Sequence, residues 1–236
     1  GIDQAIMENI GQEDSKVWNF SIEMETGTGK TYVYVRTILE LYQKYGFTKF
    51  IILVPSVAIR EGVKKTLEVT KSHMNEIYER TPYSFYEYNS RRLTDIKKFA
   101  RSNSVEIMIM TVDSFNSESN IMNRPSEKMP SGMRPIDLVK KTRPILILDE
   151  PQNMESDRAK EAIGGLDPLF LLRYSATHKE VYNLVYRLTP VDAYREGLVK
   201  QIEVSSVVRD DDFNNAYVMC KEIISPKKPG QQPKAR

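Results

Sequence analysis

Cysteine is nearly missing from this sequence: Cys220 stands alone among 236 residues. A single cysteine excludes an intrachain disulfide framework and suits a reducing compartment, so a cytoplasmic protein is expected. Histidine is almost as scarce. The two, His73 and His178, lack partners at metal-ligand spacing, which argues against a zinc site. Long hydrophobic runs are absent as well; "FIILV" at 50–54 falls far short of a bilayer span, and no secretory signal opens the chain. No membrane partner is therefore expected. Neither sign of charge dominates, because 34 Lys+Arg face 32 Asp+Glu. The resulting net charge of +2 is too small to argue nucleic-acid binding by itself. What is present, 40% hydrophobic and 28% charged residues, describes a globular domain long enough to bury a real core. The opening "GIDQ", without methionine, reads as a piece of something longer.

Hydrophobic spacing sets the fold class. Trp18, Phe20, Ile22 and Met24 alternate with Asn19, Ser21, Glu23 and Glu25, a period of two that predicts a strand with one apolar face. The polar half of that strand is unexpected for a central position, and calls for either a polar layer or a contact with further chain. After Lys30 the period changes. Val35, Ile38, Leu39 and Tyr42 form a helical stripe. "KFIILVP" then suits a strand covered on both sides, and Ser56 can cap a helix carrying Ile59, Val63, Leu67 and Thr70 on one face. "VEIMIMT" at 105–111, "RPILILDE" at 143–150 and "LFLLRYSAT" at 169–177 repeat the theme. Strands alternating with helices predict an α/β domain with a mainly parallel sheet and helices on both faces. Residues 117–135, rich in Ser, Asn and Pro, read as a long loop, functional or mobile. From 225 onward little can be buried, and a disordered tail is expected after a helical extension at 209–224.

Two segments carry chemistry. In "TGTGKT", Gly27 and Gly29 allow backbone conformations that turn N–H groups toward phosphate oxygens, and the following helix adds the positive end of its dipole. Thr26 to Thr31, that is Thr26, Gly27, Thr28, Gly29, Lys30 and Thr31, would cradle a triphosphate. Lys30 would reach the β- and γ-phosphates, and the Thr31 hydroxyl would ligate Mg²⁺. Met24 stands where the general G-x-x-x-x-G-K-[ST] pattern has its first glycine, so the strand–loop–helix setting carries the assignment. The bland alternative is a glycine-rich turn with a solvated lysine. At the end of "ILILDEPQ", Asp149 and Glu150 emerge at a strand's carboxyl end, where α/β sheets bind ligands. Asp149 would hold Mg²⁺ and Glu150 would take a proton from an attacking water; taken alone, the pair could equally be solvated. The phosphate loop and the acidic strand end are expected on neighbouring turns of one sheet.

"METGTGKT", "DEPQ" and "SATH" follow the order of motifs I, II and III of superfamily 2 helicases and translocases. With "DEPQNMES", "RYSATHKE" and "DAYREGLVKQIEV", the chain resembles Res, the motor subunit of type III restriction–modification enzymes, from about Gln4 to Val208. The resemblance implies a RecA-like P-loop lobe over 1–208 that binds and hydrolyses ATP with Mg²⁺ and acts on double-stranded DNA beside a methyltransferase (Mod) subunit. It implies that Lys30, Asp149 and Glu150 serve hydrolysis and that Gln152 senses the γ-phosphate or links two lobes. Ser175, Ala176, Thr177 and the adjoining His178 would couple hydrolysis to movement. Pro55, Ser56 and Ile59, and later Thr111 and Ser114, would touch the DNA backbone. Gln4 would contact adenine, or else sit on an exposed helix. Such enzymes also carry a second RecA-like lobe and a PD-(D/E)xK nuclease; the length after Val208 holds neither, and no Glu-x-Lys triplet occurs, so this chain is expected not to cut DNA.

Other signals are weaker. The basic run "RRLTDIKKFAR" at 91–101 is read as a solvated helix face before a phosphate track, and the thirteen tyrosines as core and boundary residues. Two rival functions remain: a silent module that holds nucleotide or DNA without turnover, and a P-loop ATPase acting on RNA or protein.

Overall fold

A computed structural model describes residues 17–200, together with the backbone pairing of Ile223–Ile224 with Lys234–Ala235. Seven strands form one parallel sheet. In chain order they are β1 (Trp18–Met24), β2 (Lys49–Val54), β3 (Tyr83–Glu87), β4 (Val105–Thr111), β5 (Ile145–Asp149), β6 (Phe170–Ser175) and β7 (Leu184–Leu188), arranged β3-β4-β2-β5-β6-β1-β7. Every pairing is parallel, so each connection must cross a face of the sheet, and the longer ones do so as helices. These are α1 (Lys30–Tyr45), α2 (Val57–Ile77), α3 (Leu93–Arg101), α4 (Pro135–Lys140) and α5 (Asp157–Gly164), with α6 (Pro190–Arg195) after β7.

The strand period of two splits the core into layers. Phe50, Ile52, Val54, Ile107, Ile109, Ile145 and Ile147 face α1 and α2, meeting Val35, Ile38, Leu39, Val63 and Leu67. Ile51, Leu53, Met108, Met110, Leu146 and Leu148 face the other way, toward Leu93, Ile96 and Phe99 of α3, Val139 of α4 and Ile163 of α5. Complete burial of each such side chain contributes roughly 1.5–3 kcal/mol, so these two layers are the main stabilising term. Ser56 accepts a hydrogen bond from the Ile59 N–H at 3.3 Å and starts α2 as its spacing predicts.

Two edge strands, β3 and β7, carry no continuous apolar run and are not evident from the sequence pattern. The segment 117–135 is no open loop. Met122 and Met129 are buried against the α3 and α4 side, and Asn123 Nδ2 donates to the carbonyls of Phe115 and Ser117 at 2.7 and 2.8 Å. The basic run becomes α3, whose Leu93, Ile96 and Phe99 are buried while Lys98 and Arg101 are exposed. Gln4 and most of 209–236 lie outside the described residues. Among the described residues no helix is long and apolar enough to cross a membrane.

Candidate nucleotide and nucleic-acid site

The loop after β1 turns sharply on two glycines. Gly27 and Gly29 have φ of 81° and 89°, a region that side chains penalise, and Gly29 leads directly into α1. Glu25 braces the turn: its carboxylate accepts from the Thr26 N–H at 2.8 Å and its carbonyl from the Thr28 hydroxyl at 2.6 Å. Thr26, Gly27 and Gly29 are exposed, so the loop presents its backbone to solvent at the carboxyl edge of the sheet.

The acidic strand end meets this loop. Lys30 Nζ lies 2.9 Å from Glu150 Oε1 and donates to the Met24 carbonyl at 3.4 Å. The two strands concerned are not adjacent, however, because β6 lies between β1 and β5. The expectation of neighbouring turns is corrected on this point. The intervening strand has a consequence: its last residue, Ser175, enters the same site.

Glu150 adopts φ 56° and ψ 56°, a left-handed conformation unusual for a side-chain-bearing residue, while its N–H donates to the Tyr174 carbonyl at 2.9 Å. Its Oε2 accepts from Gln152 Nε2 at 2.7 Å. The Ser175 hydroxyl has Glu150 Oε2 at 3.2 Å, Gln152 Oε1 at 2.8 Å and the Thr177 carbonyl at 3.0 Å around it. One proton cannot serve three acceptors, so Ser175 can change partner without moving. Gln152, Glu150, Ser175 and Thr177 are thereby brought into one network.

The two carboxylates differ in environment. Burial, reinforced by the charge of Glu150, pushes Asp149 up to about 6, against the pull of Lys30 and Tyr34. Burial also acts upward on Glu150, but hydrogen bonds from Gln152, Lys30 and Ser175 outweigh it and hold that carboxyl below its usual range. Among the described residues no cluster of three or more His, Cys, Asp or Glu could cage a metal. That donor set fits Mg²⁺, which keeps waters and phosphate oxygens and needs only one or two protein oxygens, here Thr31 and Asp149.

The polar half of β1 has a protein partner. Ser21, fully buried, accepts from the Tyr182 N–H through its hydroxyl at 2.9 Å, and Asn183 Nδ2 donates to the Asn19 carbonyl at 2.8 Å. Glu23 pairs with Arg187 of β7. His178 Nε2 lies 3.3 Å from the Ile22 carbonyl, and burial lowers the imidazole below its ordinary value. Beside Ser21, Arg173 is buried against Tyr182, its guanidinium 4.9 Å from the ring and 3.3 Å from Glu155. Segment 178–183 is therefore the polar layer.

Pro55, Ser56 and Ile59 follow β2, Thr111 ends β4 and Ser114 lies in the short 3-10 turn after it; these strands are neighbours, with Val54 opposite Thr111. Thr111 and Ser114 hydroxyls lie 2.9 Å apart. A cleft of about 530 Å³ opens here between Arg60, Glu87, Asn89, Ser90, Ser114 and Asn120. Arg60, missed in the sequence, is paired with Glu87 at 3.2 Å. Both residue sets thus share the carboxyl edge of one sheet.

Comparison with known proteins decides the family. The model described as "Type III restriction enzyme, res subunit" matches residues 3–180. The chain belongs to this Res family. The Res subunit of StyLTI from Salmonella typhimurium LT2 is 30% identical over 237 residues, spanning 85% of this chain and 24% of that protein. The EcoP15I Res subunit from Escherichia coli is 32% identical over 200 residues, 77% of this chain and 21% of that protein. This Res-family chain therefore spans about a quarter or less of the curated relatives it matches. Among solved structures, a nuclease-deletion mutant of the Type ISP restriction-modification enzyme LlaGI, in complex with a DNA substrate mimic, aligns with TM-score 0.50 and 13% identity. It covers 84% of this chain and 20% of that chain, and at such identity the likeness shows the fold alone. The fold is the RecA-like one expected, a parallel sheet with helices on both faces.

Proposed function

We propose that this chain is the ATP-binding and ATP-hydrolysing motor lobe of a type III Res enzyme, acting on double-stranded DNA with a Mod partner. The observation that carries the reading is the 2.9 Å contact between Lys30 and Glu150, which joins a positive-φ glycine loop to an acidic strand end across β6. ATP enters with its phosphates over the loop of Thr26–Thr31, where backbone N–H groups and the α1 dipole favour negative charge. Lys30 can then exchange Glu150 for the triphosphate. Losing that cation raises the proton affinity of Glu150, which suits it to accept a proton from an attacking water. Mg²⁺, held by Thr31 and Asp149, would neutralise charge on the phosphates. Gln152 and Ser175 orient the Glu150 carboxylate and report its state to Thr177. Pro55, Ser56, Ile59, Thr111 and Ser114 offer the DNA contact on the same sheet edge.

The test is the ATPase rate of the purified chain with and without duplex DNA, beside Lys30→Ala and Glu150→Gln. DNA-stimulated turnover, reduced at least about a hundredfold by either substitution, is expected for groups acting on the transferring phosphate. Nucleotide binding without any turnover would instead identify a silent binding module.

A further inference from the structure

We propose that Tyr34 is a positioning residue of the nucleotide–metal site, its buried hydroxyl reaching from α1 to hold one oxygen of the Asp149 carboxylate. The inference rests on the reading of that site as a Mg²⁺–nucleotide site and adds a residue outside its motifs. Tyr34 lies on α1 three residues after Thr31, so both project from the same side of the helix. Its side chain is wholly buried. The phenol donates to Asp149 Oδ2 at 3.4 Å. The ring is fixed edge-on against Tyr174, centroids 5.5 Å apart, and Tyr174 is itself held through its hydroxyl, 3.1 Å from that of Thr37.

Hydrogen-bonding capacity gives the contact a direction. An ionised carboxylate can only accept, so the phenol proton is directed to Asp149. Asp149 keeps its second oxygen, Oδ1, for a cation. A side chain of α1 thereby fixes a carboxylate at the end of β5 before any metal arrives. A phenylalanine would fill the same volume and keep the edge-on contact with Tyr174. The hydroxyl, which burial makes costly unless paired, adds only this bridge.

Tyr34→Phe separates the roles. Affinity for a fluorescent ATP analogue is measured in EDTA and across a Mg²⁺ titration, with kcat and KM for ATP at each Mg²⁺ concentration. Affinity in EDTA within about twofold of wild type is expected, with the half-saturating Mg²⁺ concentration raised about tenfold, the lower end for an outer partner of a metal ligand. At saturating Mg²⁺, kcat should return toward wild type. Tyr174→Phe removes a neighbouring hydroxyl but no contact to Asp149, and should leave the Mg²⁺ titration unchanged. Identical titrations for Tyr34→Phe and wild type would overturn the proposal. An equal shift in Tyr174→Phe would overturn it too, by assigning the effect to packing. Wild-type protein that gains no nucleotide affinity from Mg²⁺ would instead sink the reading of the site itself.

Discussion

Asp149 shows how one side chain can be held against its own preference. Burial keeps its folded-state pKa at about 6, above an ordinary aspartate, so the folded protein binds more protons than the unfolded chain between those values. For a group shifted in this direction the stability penalty is fully present above pH 6 and is relieved as pH falls below it. Asp149→Asn should therefore stabilise the fold at pH 8, by on the order of 1–3 kcal/mol, and by roughly half as much at pH 5. Urea denaturation of both proteins at the two pH values measures this, and a larger gain at pH 5 would contradict the assignment. The same substitution should abolish the Mg²⁺-dependent part of nucleotide affinity. Stability is given up at this position where a charged ligand is needed, and Tyr34 offsets part of the cost.

Elements were legible to the degree that they are buried. β2, β4 and β5 have apolar neighbours above and below, so their sequences are nearly uninterrupted hydrophobic runs. β3 and β7 lie at the two sheet edges, where half the pairing is missing and β7 keeps four of its five residues exposed. Their sequences need no continuous apolar run, and none marks them. The long segment 117–135 misled for the opposite reason. Its polar composition hides two anchors, Met122 and Met129, too few to mark either period. Met122→Ala should cost about 2–4 kcal/mol, as cavity-forming substitutions of buried residues do. Thermal or chemical melting measures it, and a cost within 0.5 kcal/mol would show the segment to be loosely attached.

At the scale of the whole molecule, nucleotide binding should act on the fold as one unit. Lys30, at the start of α1, meets Glu150 just after β5, with Ser175 of β6 between those strands. A ligand spanning these elements stabilises the folded state by RT ln(1 + [L]/Kd), about 2.7 kcal/mol at a hundredfold excess over Kd. For a domain of this size that is a rise in Tm of roughly 5–10 °C with ATP and Mg²⁺. Lys30→Ala should remove the rise. An undiminished shift in that variant would place the nucleotide elsewhere.

The sequence by itself determined the α/β class, the glycine turn before α1, the DEPQ and SATH motifs and the family, because each depends on residue types at short, fixed spacing. Strand order is a different kind of fact. Which crossovers pass which strands is decided by how helices pack on a twisted sheet, and only the tertiary structure inserts β6 between β1 and β5. The same packing decided what covers the polar half of β1, and that Tyr34, which reads in the sequence as one more core aromatic, points its hydroxyl at Asp149. Those contacts join residues more than a hundred positions apart, and no local pattern encodes them.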